Sequence, residues 1–329
     1  MDIVITGGAG FLGQQLLRSL LDAGTVSIDG KARAFDRIVC FDQVEGATSD
    51  SRVANVAGSI ADPATVSSLV GPDTGVVVHL AAVVSGTAEA DFDLGMRVNL
   101  DGTRHLLEAC RAAGSRPRVL FSSSIAVFGG ELPGVVTDAT TPTPQGSYGV
   151  QKLIGELLVQ DFTRKGFIDG RSVRVPTVVV RPGAPNGAAS GFASGIIREP
   201  LAGHEAVLPV DRATEMWVVS PRAAVAMFLH ALDLGAADWG WNRSINLPGL
   251  VVSMNDELDA LRAVGGDAAL ALVRDEPDER VRRLVTTWAA RFDTARARAM
   301  GFRPDADFER IVRGYVEDNP GAVRLRAGA

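Results

Sequence analysis

Short apolar runs alternate with helical stripes through the first half of this 329-residue chain. Nothing else in the sequence constrains the fold as strongly. Residues 2–6, 37–41, 52–57, 76–80, 118–122 and 172–180 read as strands, and several are apolar without interruption. That is the pattern of a parallel strand covered on both faces. Between them, residues 12–23 carry leucines at 12, 16, 17, 20 and 21 before Gly24. Residues 97–113 and 148–165 are further helical stripes, ended by Gly114 and Gly166. Glycine just past such a stripe is a helix stop. Repeated β–α alternation predicts an α/β fold built on a doubly wound parallel sheet.

The pattern changes after Arg181-Pro182. Residues 183–203 are rich in Gly, Ala, Pro and Ser and read as loops and short helices. Residues 220–234, 253–264 and 278–300 read as helices, and 244–247 as a short strand. Residues 25–36 read as a surface loop in the first crossover. At roughly 150 residues per domain, the length allows two domains. The expected division is a nucleotide-binding domain over residues 1–182, to which the chain returns near 215–247, and a smaller, mostly α substrate lobe over 183–329.

The strongest local motif is Thr6-Gly7-Gly8-Ala9-Gly10-Phe11-Leu12-Gly13, between the first strand and the first helix. Gly7 lets the chain turn, Gly10 lets backbone approach a pyrophosphate, and Gly13 lets helix and strand pack closely. The helix N-terminus presents free N–H groups to the phosphates. Phe11 and Leu12 belong to the same cradle. This predicts a Rossmann-type dinucleotide site. Asp42 ends the second strand, where a carboxylate accepts from the adenosine ribose hydroxyls and repels a 2′-phosphate, which favours NAD over NADP. Asp62 either meets the adenine amino group or caps the helix that Pro63 opens.

Composition narrows the function. Hydrophobic residues make up 46% and charged residues 22%, which argues against disorder. The net charge of −6 speaks against a nucleic-acid partner. Cys40 and Cys110 read as small core residues, and the four histidines lack ligand spacing, so no metal site is expected. No apolar run reaches about 18 residues, so no membrane span is expected. The N-terminus enters a strand at once, without a signal-peptide pattern, and the expected location is the cytoplasm.

Tyrosine is scarce, with only Tyr148 and Tyr315. Tyr148 and Lys152 stand at i and i+4 on one helix face. A phenol is a poor base near neutral pH, and a fixed ammonium beside it favours the phenolate. The run Ser122-Ser123-Ser124 ends the fifth strand, where ligands bind in such sheets, and a hydroxyl there can orient a reacting oxygen.

These residues together resemble the extended short-chain dehydrogenase/reductase family, which includes nucleotide-sugar epimerases and dehydratases. The resemblance rests on the glycine loop, Asp42, His79-Leu80-Ala81-Ala82, Asn99, Ser122–Ser124 with Val127-Phe128-Gly129, and Tyr148 with Lys152. It implies Ser124, Tyr148 and Lys152 as the catalytic set, with Asn99 supporting the helix and a proton path. It implies Ala81, Ala82 and Ser122 beside the cofactor, with Pro182 and Ala184 running past the nicotinamide. Phe128 replaces a common tyrosine. Glu215 occupies a neighbourhood where nucleotide-sugar relatives carry an arginine for the diphosphate, which implies a smaller substrate.

The wording of residues 147–152, 173–186 and 192–200 resembles a subgroup acting on the four-carbon sugar acid D-erythronate. The implied reaction is oxidation of the C2 hydroxyl to 2-oxo-tetronate, with NAD as hydride acceptor. Arg174, Arg198, Arg212 and Arg222 are candidates for the substrate carboxylate. Ser85 and Asn186 either meet sugar hydroxyls or stabilise turns, Ser123 neighbours the reacting oxygen, and Trp217 is either core or substrate platform. The resemblance also implies a homodimer. The alternatives are a nucleotide-sugar epimerase or dehydratase, and a non-catalytic NAD-sensing regulator.

Overall fold

The computed structural model describes residues 1–183 and 189–327. Its centre is a sheet of seven strands: β1 (Asp2–Thr6), β2 (Arg37–Asp42), β3 (Val53–Ala57), β4 (Thr74–His79), β5 (Arg118–Ser124), β6 (Asp169–Val175) and β7 (Ser244–Asn246). The principal helices are α1 (Phe11–Ala23), α2 (Pro63–Leu69), α3 (Gly102–Ala113), α4 (Ser147–Arg164), α5 (Gly191–Leu201), α6 (Pro221–Asp233), α7 (Met254–Leu270) and α8 (Phe308–Asp318). Every strand pair in the sheet is parallel, and the order is β7-β6-β5-β4-β1-β2-β3. The order reverses between β1 and β4, so the crevice beyond their C-terminal ends is where such a sheet binds ligands.

The uninterrupted apolarity of the strands has a direct cause. Ile3 and Ile5 of β1 enter one layer with Leu16, Leu17 and Leu20 of α1 and Phe228 of α6. Val4 enters the opposite layer with Leu106 and Leu107 of α3 and Val159 of α4. Each fully buried side chain of this kind contributes roughly 1.5–3 kcal/mol of transfer free energy. A third core joins α5, α7 and α8 through Ile196, Leu261 and Ile311. A small fourth cluster, with Phe128, Val136, Trp217 and Phe292, bridges the two regions.

The structure corrects several local readings. Residues 25–36 form a β-hairpin, Thr25–Ile28 against Lys31–Ala34, instead of a loop. Asp29 and Gly30 both take positive φ, as a tight two-residue hairpin turn requires. Asp233 of α6 pins the turn, accepting from Ser27 Oγ at 2.7 Å and Gly30 N at 2.8 Å. The strand expected over 172–180 breaks at Pro176, and Thr177–Val178 pairs instead with Glu215–Val219 in a separate three-stranded sheet. Proline has no N–H to continue a ladder. Glu215–Val219 therefore lies outside the parallel sheet, and the chain rejoins it only through α6 and β7.

Residues 278–300 are not one helix. Glu279–Val285 stops where the hydroxyls of Thr286 and Thr287 bond back to the Arg283 and Leu284 carbonyls, and Phe292 bridges to Val136 before Ala295–Ala299. The stripe over 97–113 begins as a π-helical turn, Met96–Asp101, before α3. Residues 183–203 contain the eleven-residue helix α5. Among the described residues, no helix is long and apolar enough to cross a membrane.

Candidate functional site

A cavity of about 570 Å³ lies over the C-terminal ends of β1, β2, β4 and β5. One end is the glycine loop. Gly7 adopts φ +73°, and a Cβ there would sit 2.7 Å from the Ala81 amide nitrogen. At Gly13 a Cβ would meet the Gly7 carbonyl oxygen at 2.3 Å. Only bare glycine lets α1 start this close to β1 and β4. Gly10 is the N-cap of α1, no side chain caps the helix, and its first turn holds no acidic residue. Its N–H groups are thus left for an anionic ligand. Gly7, Gly10, Phe11, Leu12 and Gly13 all line the cavity, as do Ala81 and Ala82 opposite.

Asp42 closes β2 at the same end. Its carboxylate accepts from Ala9 N at 3.0 Å and from Gln43 N at 2.7 Å, which ties the loop to the strand and leaves lone pairs toward the cavity. This donor and acceptor set suits a dinucleotide: bare amides and a helix terminus for the pyrophosphate, and a carboxylate for ribose hydroxyls. Asp62 sits apart. It caps α2, accepting from Ala64 N and Thr65 N, and does not line the cavity, although nearby Gly58 and Ile60 do.

At the other end, Ser122, Ser123, Ser124, Tyr148 and Lys152 share the wall. The Ser124 side chain neighbours the Tyr148 hydroxyl, and Ser124 Oγ accepts from Ala126 N at 3.1 Å. Burial pushes the Tyr148 hydroxyl up to about 12, while the Ser124 side chain and the Arg181 charge pull it down. Lys152 donates from Nζ to the Ser122 carbonyl at 2.8 Å. Its ammonium lies over the Phe121 and Tyr148 rings, 4.9 and 5.6 Å from their centroids. Asn99 does not reach the cavity. From the π-helical turn it accepts from Val83 N and donates to Val83 O and to Gln151 Oε1, so it braces the wall at Val83 and the residue before Lys152. His79 is locked between Thr6 and Thr103 behind the glycine loop, and burial drives it down to about 3, so it stays neutral.

The expected substrate contacts divide. Ser85 lines the cavity. The hydroxyl of Ser123 is spent on Glu156. Trp217 lines the cavity but is nearly buried, donating to the Leu247 carbonyl and packing at a tilt against Phe292. Ala184 and Asn186 lie outside the described residues. Pro182 faces a second cavity, between α1, α6 and α8, instead of the first.

None of the four candidate arginines lines the cavity. Arg174 pairs with Glu156, Arg198 with Glu199, Arg212 with Asp275, and Arg222 with Glu317 and Asp318. The cations that do line it, among the described residues, are Lys152 and Arg181. The Arg181 N–H donates to Ser194 Oγ, its carbonyl accepts from Arg198, and its guanidinium donates to Ser190 Oγ at 3.5 Å. Its side chain is close enough for its charge to act on Tyr148. The resemblance places the segment that begins at Arg181 beside the nicotinamide, but Arg181 is not among the arginines expected for the substrate carboxylate. Trp288 and Ala289 also enter the wall, brought there by the break after Val285. Among the described residues, no three His, Cys, Asp or Glu side chains gather to hold a metal ion.

Known proteins resemble the whole chain. A D-erythronate dehydrogenase of Cupriavidus necator is 54% identical over 319 residues, covering 97% of this chain and 98% of its own. A D-erythronate dehydrogenase of Haemophilus influenzae is 42% identical, covering 96% and 99%. A crystal structure described as a nucleoside-diphosphate-sugar epimerase from Agrobacterium tumefaciens is 43% identical. It superposes with a TM-score of 0.91, covering 98% of this chain and 95% of that one. Residues 3–239 match the NAD-dependent epimerase/dehydratase family. With that match running from the glycine loop past the Tyr148–Lys152 helix, the chain belongs to the NAD-dependent epimerase/dehydratase family, the extended short-chain dehydrogenases.

Proposed function

We propose that the protein is an NAD-dependent dehydrogenase that oxidises the C2 hydroxyl of D-erythronate to give 2-oxo-tetronate. The observation that carries this reading is a guanidinium, Arg181, on the same cavity wall as Tyr148 and Ser124. A 2-hydroxy acid needs both: a cation for the carboxylate and an acid–base pair for the adjacent hydroxyl. The names of the two D-erythronate dehydrogenase relatives support the four-carbon acid.

Bound NAD supplies the acceptor for the hydride that leaves C2. The protein does the rest. In this reading the glycine loop and Asp42 would hold the adenosine half, and Lys152 would hold the nicotinamide ribose. Arg181 receives the carboxylate, which aims C2 at the serine–tyrosine pair. Tyr148, as phenolate, takes the hydroxyl proton while Ser124 hydrogen-bonds the same oxygen. Because burial raises the phenol and oxidation needs it ionised, the oxidation rate rises with pH as Tyr148 loses its proton. The reverse reduction needs the phenol and falls over the same range.

The Agrobacterium structure's description favours a second reading, a nucleotide-sugar epimerase. Two phosphates need a cationic clamp. Among the described residues this wall carries one guanidinium, Arg181, and also Glu215, which Arg291 holds two-pronged at 2.6 and 2.9 Å and which opposes a second phosphate. NAD reduction followed across C3–C6 aldonates, beside epimerisation of UDP-sugars, separates the two. Turnover of D-erythronate with a raised KM in Arg181→Met is the expected result. Silence toward every aldonate with turnover of a UDP-sugar refutes the proposal.

A further inference from the structure

Behind the cavity runs a row of buried polar side chains that the chemistry above does not use. Thr6, His79, Thr103, Asn99 and Gln151 are each no more than 2% exposed. They come from β1, β4, α3, the π-helical turn Met96–Asp101 and α4. Thr6 Oγ1 lies 2.6 Å from His79 Nδ1, and His79 Nε2 lies 3.0 Å from Thr103 Oγ1. Thr103 Oγ1 donates to the Asn99 carbonyl at 2.6 Å. Asn99 Nδ2 donates to Gln151 Oε1 at 2.8 Å, and the same side chain holds both the N–H and the carbonyl of Val83, on the cavity wall. The row begins one residue before Gly7 and ends one residue before Lys152. It therefore joins the glycine loop to the Tyr148–Lys152 helix. It is closely fitted at both ends. A Cβ at Gly7 would sit 2.7 Å from Ala81 N, and one at Gly95 would sit 2.6 Å from Gln151 Nε2.

Donor counting gives the row a direction. A hydroxyl has one proton to give. Thr103 spends its proton on the Asn99 carbonyl four residues earlier, so toward His79 its oxygen can only accept. His79 Nε2 must then carry a proton. The ring is neutral, because burial drives it down to about 3, so Nδ1 is bare and accepts from the Thr6 hydroxyl. The Thr6 oxygen keeps a lone pair for Ala81 N, at 3.4 Å. Every bond from Thr6 to Gln151 then points the same way. An Nδ1–H ring would set two lone pairs against each other at Thr103, and a buried polar group without a partner is costly.

We infer that His79, as the Nε2–H tautomer, is a positioning residue for both ends of the cavity: through Thr6 it sets the start of the glycine loop, and through Thr103 it sets the Asn99 turn and with it the Lys152 helix. Its effect on the cofactor end stands on this geometry alone. Its effect on turnover rests on the reading of Tyr148 and Lys152 as catalytic.

The chain has four histidines. Full-length, cofactor-free protein with ¹⁵N-labelled imidazoles gives a pair of ring-nitrogen signals for each, and His79→Gln assigns the buried one. A protonated Nε2 with a bare Nδ1 is the expected pattern, and a protonated Nδ1 overturns the inference. Substitutions separate the two arms. Asn places an oxygen where Nδ1 stands, and Gln places an amide nitrogen where Nε2 stands. His79→Leu offers neither. It should raise the NAD dissociation constant, read by calorimetry, and lower kcat, each about tenfold for the loss of one hydrogen bond. His79→Asn should restore NAD affinity, and His79→Gln should restore kcat. Should His79→Leu fail to fold, Thr103→Val cuts the row one link further on and lowers kcat, while Thr103→Ser keeps the hydroxyl and the rate. Folded variants in which Asn and Gln rescue nothing, or in which Leu and Val cost nothing, overturn the inference. The expected tautomer and NAD losses in a protein that turns over no aldonate leave the inference standing and remove the substrate proposal instead.

Discussion

Replacing Asp42 tests the cofactor end of the cavity. Its two carboxylate oxygens each hold a backbone amide, Ala9 N at 3.0 Å and Gln43 N at 2.7 Å, and face the cavity from the tip of β2. In Asp42→Asn the side chain keeps its shape but loses its charge, and one amide now meets an NH₂ donor. A hydrogen bond to a charged acceptor contributes about 1.5–3 kcal/mol. At 1.36 kcal/mol per decade, NAD affinity should fall about 10- to 160-fold. For NADP the same change removes a repulsion. Two unit charges 4 Å apart interact by about 1 kcal/mol in water and about 4 kcal/mol near a protein surface. NADP binding should therefore improve while NAD binding weakens. Isothermal titration of both cofactors, with kcat/KM for each, gives the ratio directly. Asp42→Ala should show the same inversion with an added loss of stability, because Ala9 N and Gln43 N are left without their acceptor. An unchanged NAD-to-NADP ratio in a folded Asp42→Asn protein would falsify the assignment of Asp42 as the reader of the ribose.

Other outcomes follow from the same coordinates. Gly13→Ala puts a Cβ 2.3 Å from the Gly7 carbonyl, so the loop must shift. Overpacking of about 1–3 kcal/mol should appear in thermal melts together with weakened NAD binding, and an unperturbed melt contradicts the close approach. Tyr148→Phe should retain NAD binding and lose about 10²–10⁴ in kcat, the span of a single acid–base group; retained turnover assigns the proton to another residue. Glu257 on α7 is fully buried, neither oxygen has a partner, and burial raises its carboxyl well above the ordinary range. The folded state thus keeps a proton that the unfolded chain releases near pH 4.3, and stability falls as pH rises above that value. Glu257→Met should flatten this slope and raise the melting temperature at neutral pH, with a gain of about 1–3 kcal/mol from removing the unsatisfied carboxyl. A lower melting temperature would point to a partner for Glu257.

The sheet was legible because its two covering layers demand apolar side chains on both faces, and Ile3, Val4 and Ile5 show that demand residue by residue. The glycine loop was legible because Gly7 and Gly13 occupy positions that no Cβ can share. The hairpin was readable in principle from Asp29-Gly30, but its flanks, Thr25–Ile28 and Lys31–Ala34, are short and the second is fully exposed. The place of Arg181 on the cavity wall was hidden because it depends on tertiary packing. Arg174, Arg198, Arg212 and Arg222 look equivalent to it in sequence, and only the fold reveals that each already has a carboxylate. The break after Val285 is also tertiary, since Phe292 is drawn away to Val136 and the Trp217 ring.

The contacts of Ser122, Ser123 and Ser124 on β5 with Lys152, Glu156 and Tyr148 on α4 work like a key with three adjacent teeth. A slip of one residue in the strand turns Ser123 away from the helix and misaligns its neighbours in the same movement. Correct folding at this spot is therefore all or none. Single substitutions here weaken one tooth, whereas an insertion or deletion within Ser122–Ser124 discards the whole alignment. Sequence change in this strand can proceed by exchange of side chains but not by change of length, although length changes elsewhere, as in the hairpin over residues 25–34, leave the register untouched.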